Sequence, residues 1–183
     1  MALIKLNNNL ISAVSALPSG IDTGKVGQVV STTKTDTATI SSSGFADVSG
    51  LTLNITPSAT SSKVLIKCNI TLNHNDSNHT VVFRFLRDST AVGVGASAGS
   101  RTSALMRFNM ATSGDGYYSL VYSTGDVSTN FLDSPSSTDE QVYKIQGIVN
   151  GANSLHINRT GSDSDGANYS RTNSTITVME ILA

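Results

Sequence analysis

From about Val26 onward, short runs of β-branched and aromatic residues alternate with clusters of turn-forming residues. That rhythm limits the folds open to the chain. The runs are VGQVVST, FADVSGLTLNITP, KVLIKCNITLN, TVVFRFLRD, SALMRFNMAT, YYSLVYST, EQVYKIQGIVN, SLHIN and STITVMEIL. Between them lie TPSATSS, HNDSNH, GVGASAGS, SGDG, DSPSSTD and GSDSDGAN, which are rich in residues that favour turns. Several runs have period two. Ala104, Met106, Phe108 and Met110 share one face, and Leu105, Arg107 and Asn109 the other, as in a strand with one buried side. Eight or nine such strands predict an all-β, antiparallel β-sandwich, jelly-roll-like, over residues 25–183. No helix–strand alternation supports a parallel α/β fold. In TVVFRFLRD, Val81, Phe83 and Phe85 oppose Val82 and Leu86. A sandwich buries one face of each sheet, so the second apolar face is expected to meet another chain.

Residues 1–24 read differently. Leu3, Leu10 and Leu17 are seven apart, with Leu6 and Ala13 at the complementary positions, a short a/d heptad. The NNN at 7–9 has poor helix propensity, and an isolated helix this short is marginal in water. The segment is either a short helix with partners or an arm that orders on docking. Pro18 and Gly20 end it. Leu3, Leu6, Leu10 and Leu17 are the candidate docking and oligomerisation residues.

Charged residues make up 14% of the chain, well below the roughly 25% usual in soluble domains. Ser, Thr and Asn cover the surface instead. With 38% of residues apolar, the chain is expected to fold rather than stay disordered. The net charge is −1 and Lys and Arg form no cluster, so neither nucleic acid nor an anionic membrane is an expected partner. No run approaches the roughly 18 apolar residues of a membrane span. The N-terminus lacks the continuous apolar core of a signal peptide. Cys68 is the single cysteine, which excludes an internal disulfide and a Cys-based zinc site. It shares a face with Val64, Ile66, Ile70 and Leu72 and is expected to be buried and inert.

The polar connections hold the candidate chemistry. GSDSDG at 161–166 resembles part of a calcium loop, but aligned through Gly166 it puts Gly161 first and Thr172 last, where an EF-hand needs Asp and Glu. It reads as a connecting turn, with Arg159 and Arg171 placed to neutralise Asp163 and Asp165. HNDSNH offers His74, Asp76 and His79, whose spacing matches no zinc signature; it reads as a solvated hairpin tip. Gly93, Gly95 and Gly99 lack the Lys-Ser/Thr and helix of a phosphate-binding loop. His156 alternates with Leu155 and Ile157 and is expected to face solvent or a neighbouring chain. Asp133, Asp139 and Glu140 are near one another and would suit a carboxylate pair, yet their Ser/Pro-rich setting predicts solvated charge. No catalytic, cofactor-binding or metal residue is assigned, and no cofactor or enzymatic activity is expected.

Two stretches resemble a known family. GKVGQVVSTTKTDTATISSSGFADVSGLTLNITPSATSSKVLIKCNI, residues 24–70, and INRTGSDSDGANYSRTNSTITVMEI, residues 157–181, are similar to small virion structural proteins of tailed bacteriophages, especially marine and cyanobacterial ones. The features that carry the resemblance are Gly24-Lys25-Val26, Gln28-Val29-Val30, Thr32 to Asp36, Phe45 to Leu51, Ile55-Thr56-Pro57 and Ser61-Ser62-Lys63, with a polar hairpin loop before the last strand. The leader IKLNN is common at the start of phage fibre-type proteins. The resemblance implies a fibre-like or decoration protein, threefold as such modules commonly are, assembled into the virion in the host cytoplasm. Its partners would be its own copies and other virion proteins of capsid or tail. The alternative reading is a receptor- or glycan-binding head, in which Tyr117, Tyr118, Tyr122, Tyr143 and Tyr169 stack on sugars.

Overall fold

The computed structural model describes residues 25–74, 80–109, 121–149 and 154–182. Its strands are β1 (Lys25–Lys34), β2 (Ala38–Ile40), β3 (Ala46–Ile55), β4 (Lys63–His74), β5 (Val81–Arg87), β6 (Thr90–Val92), β7 (Met106–Phe108), β8 (Gly125–Asp133), β9 (Gln141–Val149), β10 (Leu155–Ile157) and β11 (Ser174–Leu182). Leu3, Leu6, Leu10 and Leu17 lie outside the described residues, as do Asp76, His79, Tyr117 and Tyr118.

All pairings are antiparallel and fall into two sheets. The first runs β1-β11-β4-β8 and the second β3-β9-β5, with β6 and β7 on the far edge of β5. Chain order alternates between the sheets in the interleaved manner of a jelly roll. β10 and β11 share one edge of β4: β11 pairs with Lys63–Asn69 and β10 with Leu72–His74. β1 and β2 lie beside them in the same end-to-end way.

Alternation places the core. Along β4, Val64, Ile66, Cys68 and Ile70 point inward, and β11 adds Ile176 and Val178. The second sheet answers with Leu51, Leu53, Phe83, Phe85, Tyr143 and Ile145, all at or near full burial. Each such side chain contributes about 1.5–3 kcal/mol of transfer free energy. Gly50 turns the chain in β3 at φ 82°, a conformation only glycine adopts cheaply.

Two strand expectations change. YYSLVYST is not a strand where described; the strand begins after it, at Gly125. Among the described residues β8 pairs only with β4, and its outward positions carry Ser128 and Asn130, so an edge strand hides among polar residues. SALMRFNMAT contributes only Met106–Phe108, opposite Val81–Phe83. The two-faced run in β5 also differs from expectation. Val82 and Leu86 are each 5% exposed within one chain, so they need no second chain to cover them.

Candidate functional site

Two surfaces stand out: a stem-loop between β10 and β11, and the outward face of the first sheet. The stem-loop grows from one residue. Asn158 is fully buried and adopts φ 61°, a left-handed turn that Asn tolerates better than most residues. Its Nδ2 donates to the carbonyls of Lys34 (2.8 Å) and Asp36 (2.9 Å). Its Oδ1 accepts from Ser174 Oγ at 2.6 Å, and its backbone N–H donates to Thr71 O at 2.9 Å. One side chain thus ties the β1–β2 junction to β11, where the chain leaves the sheet. The loop closes through an Arg159–Arg171 bridge and Thr172 N–H donating to Asn158 O.

GSDSDG forms the tip, between strands as expected. Arg171 pairs with Asp163 at 2.6 Å. Arg159 does not reach Asp165: its guanidinium donates to the carbonyls of Thr160 and Gly161 and to His156 Nδ1 at 2.7 Å. Asp165 has no hydrogen bond or ion pair among the described residues. A carboxylate already held by a guanidinium is a poor cation ligand, so the tip offers one free carboxylate, Asp165. Among the described residues no three His, Cys, Asp or Glu side chains converge. A cleft of about 280 Å³ opens beside Asp163, Asp165, Tyr169 and Arg171. Tyr122 packs against Tyr169 with ring centroids 5.2 Å apart. Hydrogen bonds to Tyr122, the larger cause, and to Ser164 hold the Tyr169 phenol below its ordinary pKa.

Three sequence expectations are corrected here. His156 does not face solvent; it is 6% exposed. Burial, and then the Arg159 charge, push its pKa down to about 4, so it is neutral near pH 7. His74 is no solvated tip residue but fully buried, edge-on to Phe108 at 6.3 Å between ring centroids. Asp133 is not solvated either. It is buried and accepts from Tyr143 Oη and Arg87 Nη1, both at 2.7 Å. Asp139 is exposed and engaged with Ser137, and Glu140 is exposed. Two further readings match the structure. Gly93, Gly95 and Gly99 lie in the connection between β6 and β7. Cys68 is buried, and burial raises its thiol to about 12, which keeps it protonated and unreactive. Of the five tyrosines, Tyr143 is core, while Tyr122 and Tyr169 come together at the loop.

The second surface was not foreseen. On the outward face of the first sheet Val29 lies opposite Met179, Met179 opposite Leu65, and Leu65 opposite Leu132. Four strands therefore present one apolar row. Val26 opposite Ile181 extends it at the β1 end. The next two rungs are polar: Ser31, Thr177, Lys67 and Asn130, then Thr33, Thr175, Asn69 and Ser128. Here a shallow groove of about 460 Å³ runs past Met179. Val29, Met179 and Leu65 sit in three different runs and Leu132 in none, and only the register brings them level.

No protein-family model matches the chain, and no curated protein sequence matches it.

Proposed function

We propose that this chain is a non-enzymatic structural protein of a bacteriophage virion, an outward-projecting trimeric β-module of a tail or head fibre or of a capsid decoration. One observation carries the reading. The two stretches that resemble phage virion proteins, 24–70 and 157–181, are far apart in sequence yet supply β1, β11 and β4, three adjacent strands of one sheet. The resemblance therefore covers three adjacent strands of the first sheet and one edge strand, β3, of the second, while 81–149 supplies the rest of the second sheet and β8 of the first. The jelly-roll architecture is common among capsid proteins, which agrees with the reading. Residues 1–24, with Leu3, Leu6, Leu10 and Leu17, fix the module to its partners. Antibody labelling of intact particles tests the proposal. Gold on the capsid or tail supports it and gives the location; particles that lack the chain overturn it. Leu6→Asp combined with Leu10→Asp should abolish incorporation while the β-module stays folded.

The Tyr122–Tyr169 pair beside Asp163, Asp165 and Arg171 favours a second reading, a glycan-binding head. A tyrosine face with nearby hydrogen-bonding groups is the usual combination for holding a sugar. Selective signals on a glycan array, lost in Tyr169→Ala, would establish it; a blank array removes it.

A further inference from the structure

We infer that the outward face of the β1-β11-β4-β8 sheet is the surface through which this chain associates with a second copy of itself. The inference rests on the self-association part of the reading above and names the face that mediates it.

The two outward faces of the sandwich differ in kind. The β3-β9-β5 face carries a connected charged network. Lys144 pairs with Asp47 at 2.7 Å, Gln146 Nε2 donates to Asp47 Oδ1, and Arg84 donates to Gln146 Oε1 and lies 4.0 Å from the centroid of the Phe45 ring. Its apolar outward residues, Val82, Leu86 and Ile148, are already 5–7% exposed. On the other sheet, Val29 is 59% exposed, Val26 52% and Leu132 46%. The outward face of the first sheet thus leaves large apolar side chains in water in a continuous row, and that of the second does not. Interface cores are marked by loss of charge and by apolar residues, Met among them. The three rungs described above hold twelve side chains, of which Lys67 alone is charged.

That chemistry selects the occupant. A foreign partner is commonly steered and discriminated by complementary charge, and this face offers little of it: Lys67 within the three rungs, with Lys63 and Asp126 beyond them. Packed against a neighbouring copy of the chain, the face brings little charge to repel it and can bury the row Val29, Met179, Leu65 and Leu132. Size agrees. Four strands of about nine residues make a patch of roughly 19 by 30 Å from strand spacing and rise. That is the scale of the ~800 Å² each partner commonly buries in a stable interface. Ser31, Thr177, Ser128 and Asn69 are cross-linked in pairs by hydrogen bonds, Ser31 to Thr177 at 2.8 Å and Ser128 to Asn69 at 2.7 Å. The polar flank therefore buries without leaving those hydroxyls unpaired.

Light scattering and sedimentation on the full chain at micromolar concentration test this. The wild type is expected to be an oligomer. Leu132→Asp should weaken association on the order of 100-fold, as at an interface hot spot, with the β circular dichroism unchanged. Val29→Lys, at a still more exposed site, asks the same question if Leu132→Asp fails to fold. Lys144→Ala, on the opposite face, should leave the oligomer intact. A monomeric wild type overturns both this inference and the trimeric part of the proposed function. A wild-type oligomer that persists in both variants overturns the assignment of the face alone. If such an oligomer disappears on deletion of residues 1–24, assembly runs through the N-terminal segment instead.

Discussion

At the scale of single residues, three polar side chains hold junctions that the apolar core leaves open. Asn158→Ala would remove the partner of the buried Lys34 carbonyl, of the part-buried Asp36 carbonyl and of the Ser174 hydroxyl hydrogen. Each buried unsatisfied group costs about 1–3 kcal/mol, so a loss of about 3 kcal/mol is expected in urea unfolding. Asn158→Gly, which relieves φ 61° but also loses the bonds, should recover little of it. Glu180 and His156 set the response to acid. Burial raises the Glu180 carboxyl, but hydrogen bonds from the Ser58 hydroxyl and backbone N–H and from Gln28 outweigh it and bring the pKa down to about 2. Both groups are depressed in the folded state. The stability each contributes is present above its unfolded value and is lost as pH falls through the folded one. The His156 contribution should therefore fade from about pH 6.5 to about 4, and the Glu180 contribution from about 4.5 to about 2. Melting temperature followed from pH 7 to pH 2 checks this. Glu180→Gln should lower stability at pH 7 and flatten the second phase. An unchanged second phase would mean that other carboxylates produce it.

At the scale of elements, the ends of β8, β9 and β5 are tied across the two sheets by Asp133, Tyr143 and Arg87. Tyr143 is fully buried. Burial first, then the Asp133 carboxylate, raise its phenol far above the ordinary value. Tyr143→Phe keeps the ring and removes one bond to a charged acceptor, so a loss of about 1.5–3 kcal/mol is expected. A change under 0.5 kcal/mol would mean that water replaces the bond. Strand chemistry was readable where one face is buried by a regular apolar alternation, as in β4 and β11. It failed at β8, where Val127, Thr129 and Phe131 point inward between Asp126, Ser128, Asn130 and Leu132. A strand with one neighbour and a Thr at an inward position carries too little apolar signal to separate it from a polar loop.

At the scale of the whole molecule, the loop and the sandwich make separable predictions. The stem-loop is held by Asn158 and by the Asp163–Arg171 pair, so a chelator should leave the melting temperature unchanged. A fall of many degrees would mean that a cation binds the folded chain and stabilises it by mass action. Circular dichroism of the whole chain should be dominated by β signal. A helix-dominated spectrum would contradict the jelly roll itself.

The all-β class, the antiparallel sandwich and the turn character of GSDSDG were legible because they depend on neighbours in sequence. Period-two burial and turn preference act over a few residues. The inert Cys68 was legible for the same reason, from its place in KVLIKCNITL. What brings residues together across strands was not. His156 looks outward by alternation, yet it is buried beside Arg159 at the root of the stem-loop, beyond the reach of a period rule. The row of Val29, Met179, Leu65 and Leu132 exists only through register, which long-range pairing sets. Each of these residues alone is an unremarkable apolar side chain. The folded sheet decided that they stand level on one face, because antiparallel pairing aligns residues that the chain separates by 36 to 150 positions.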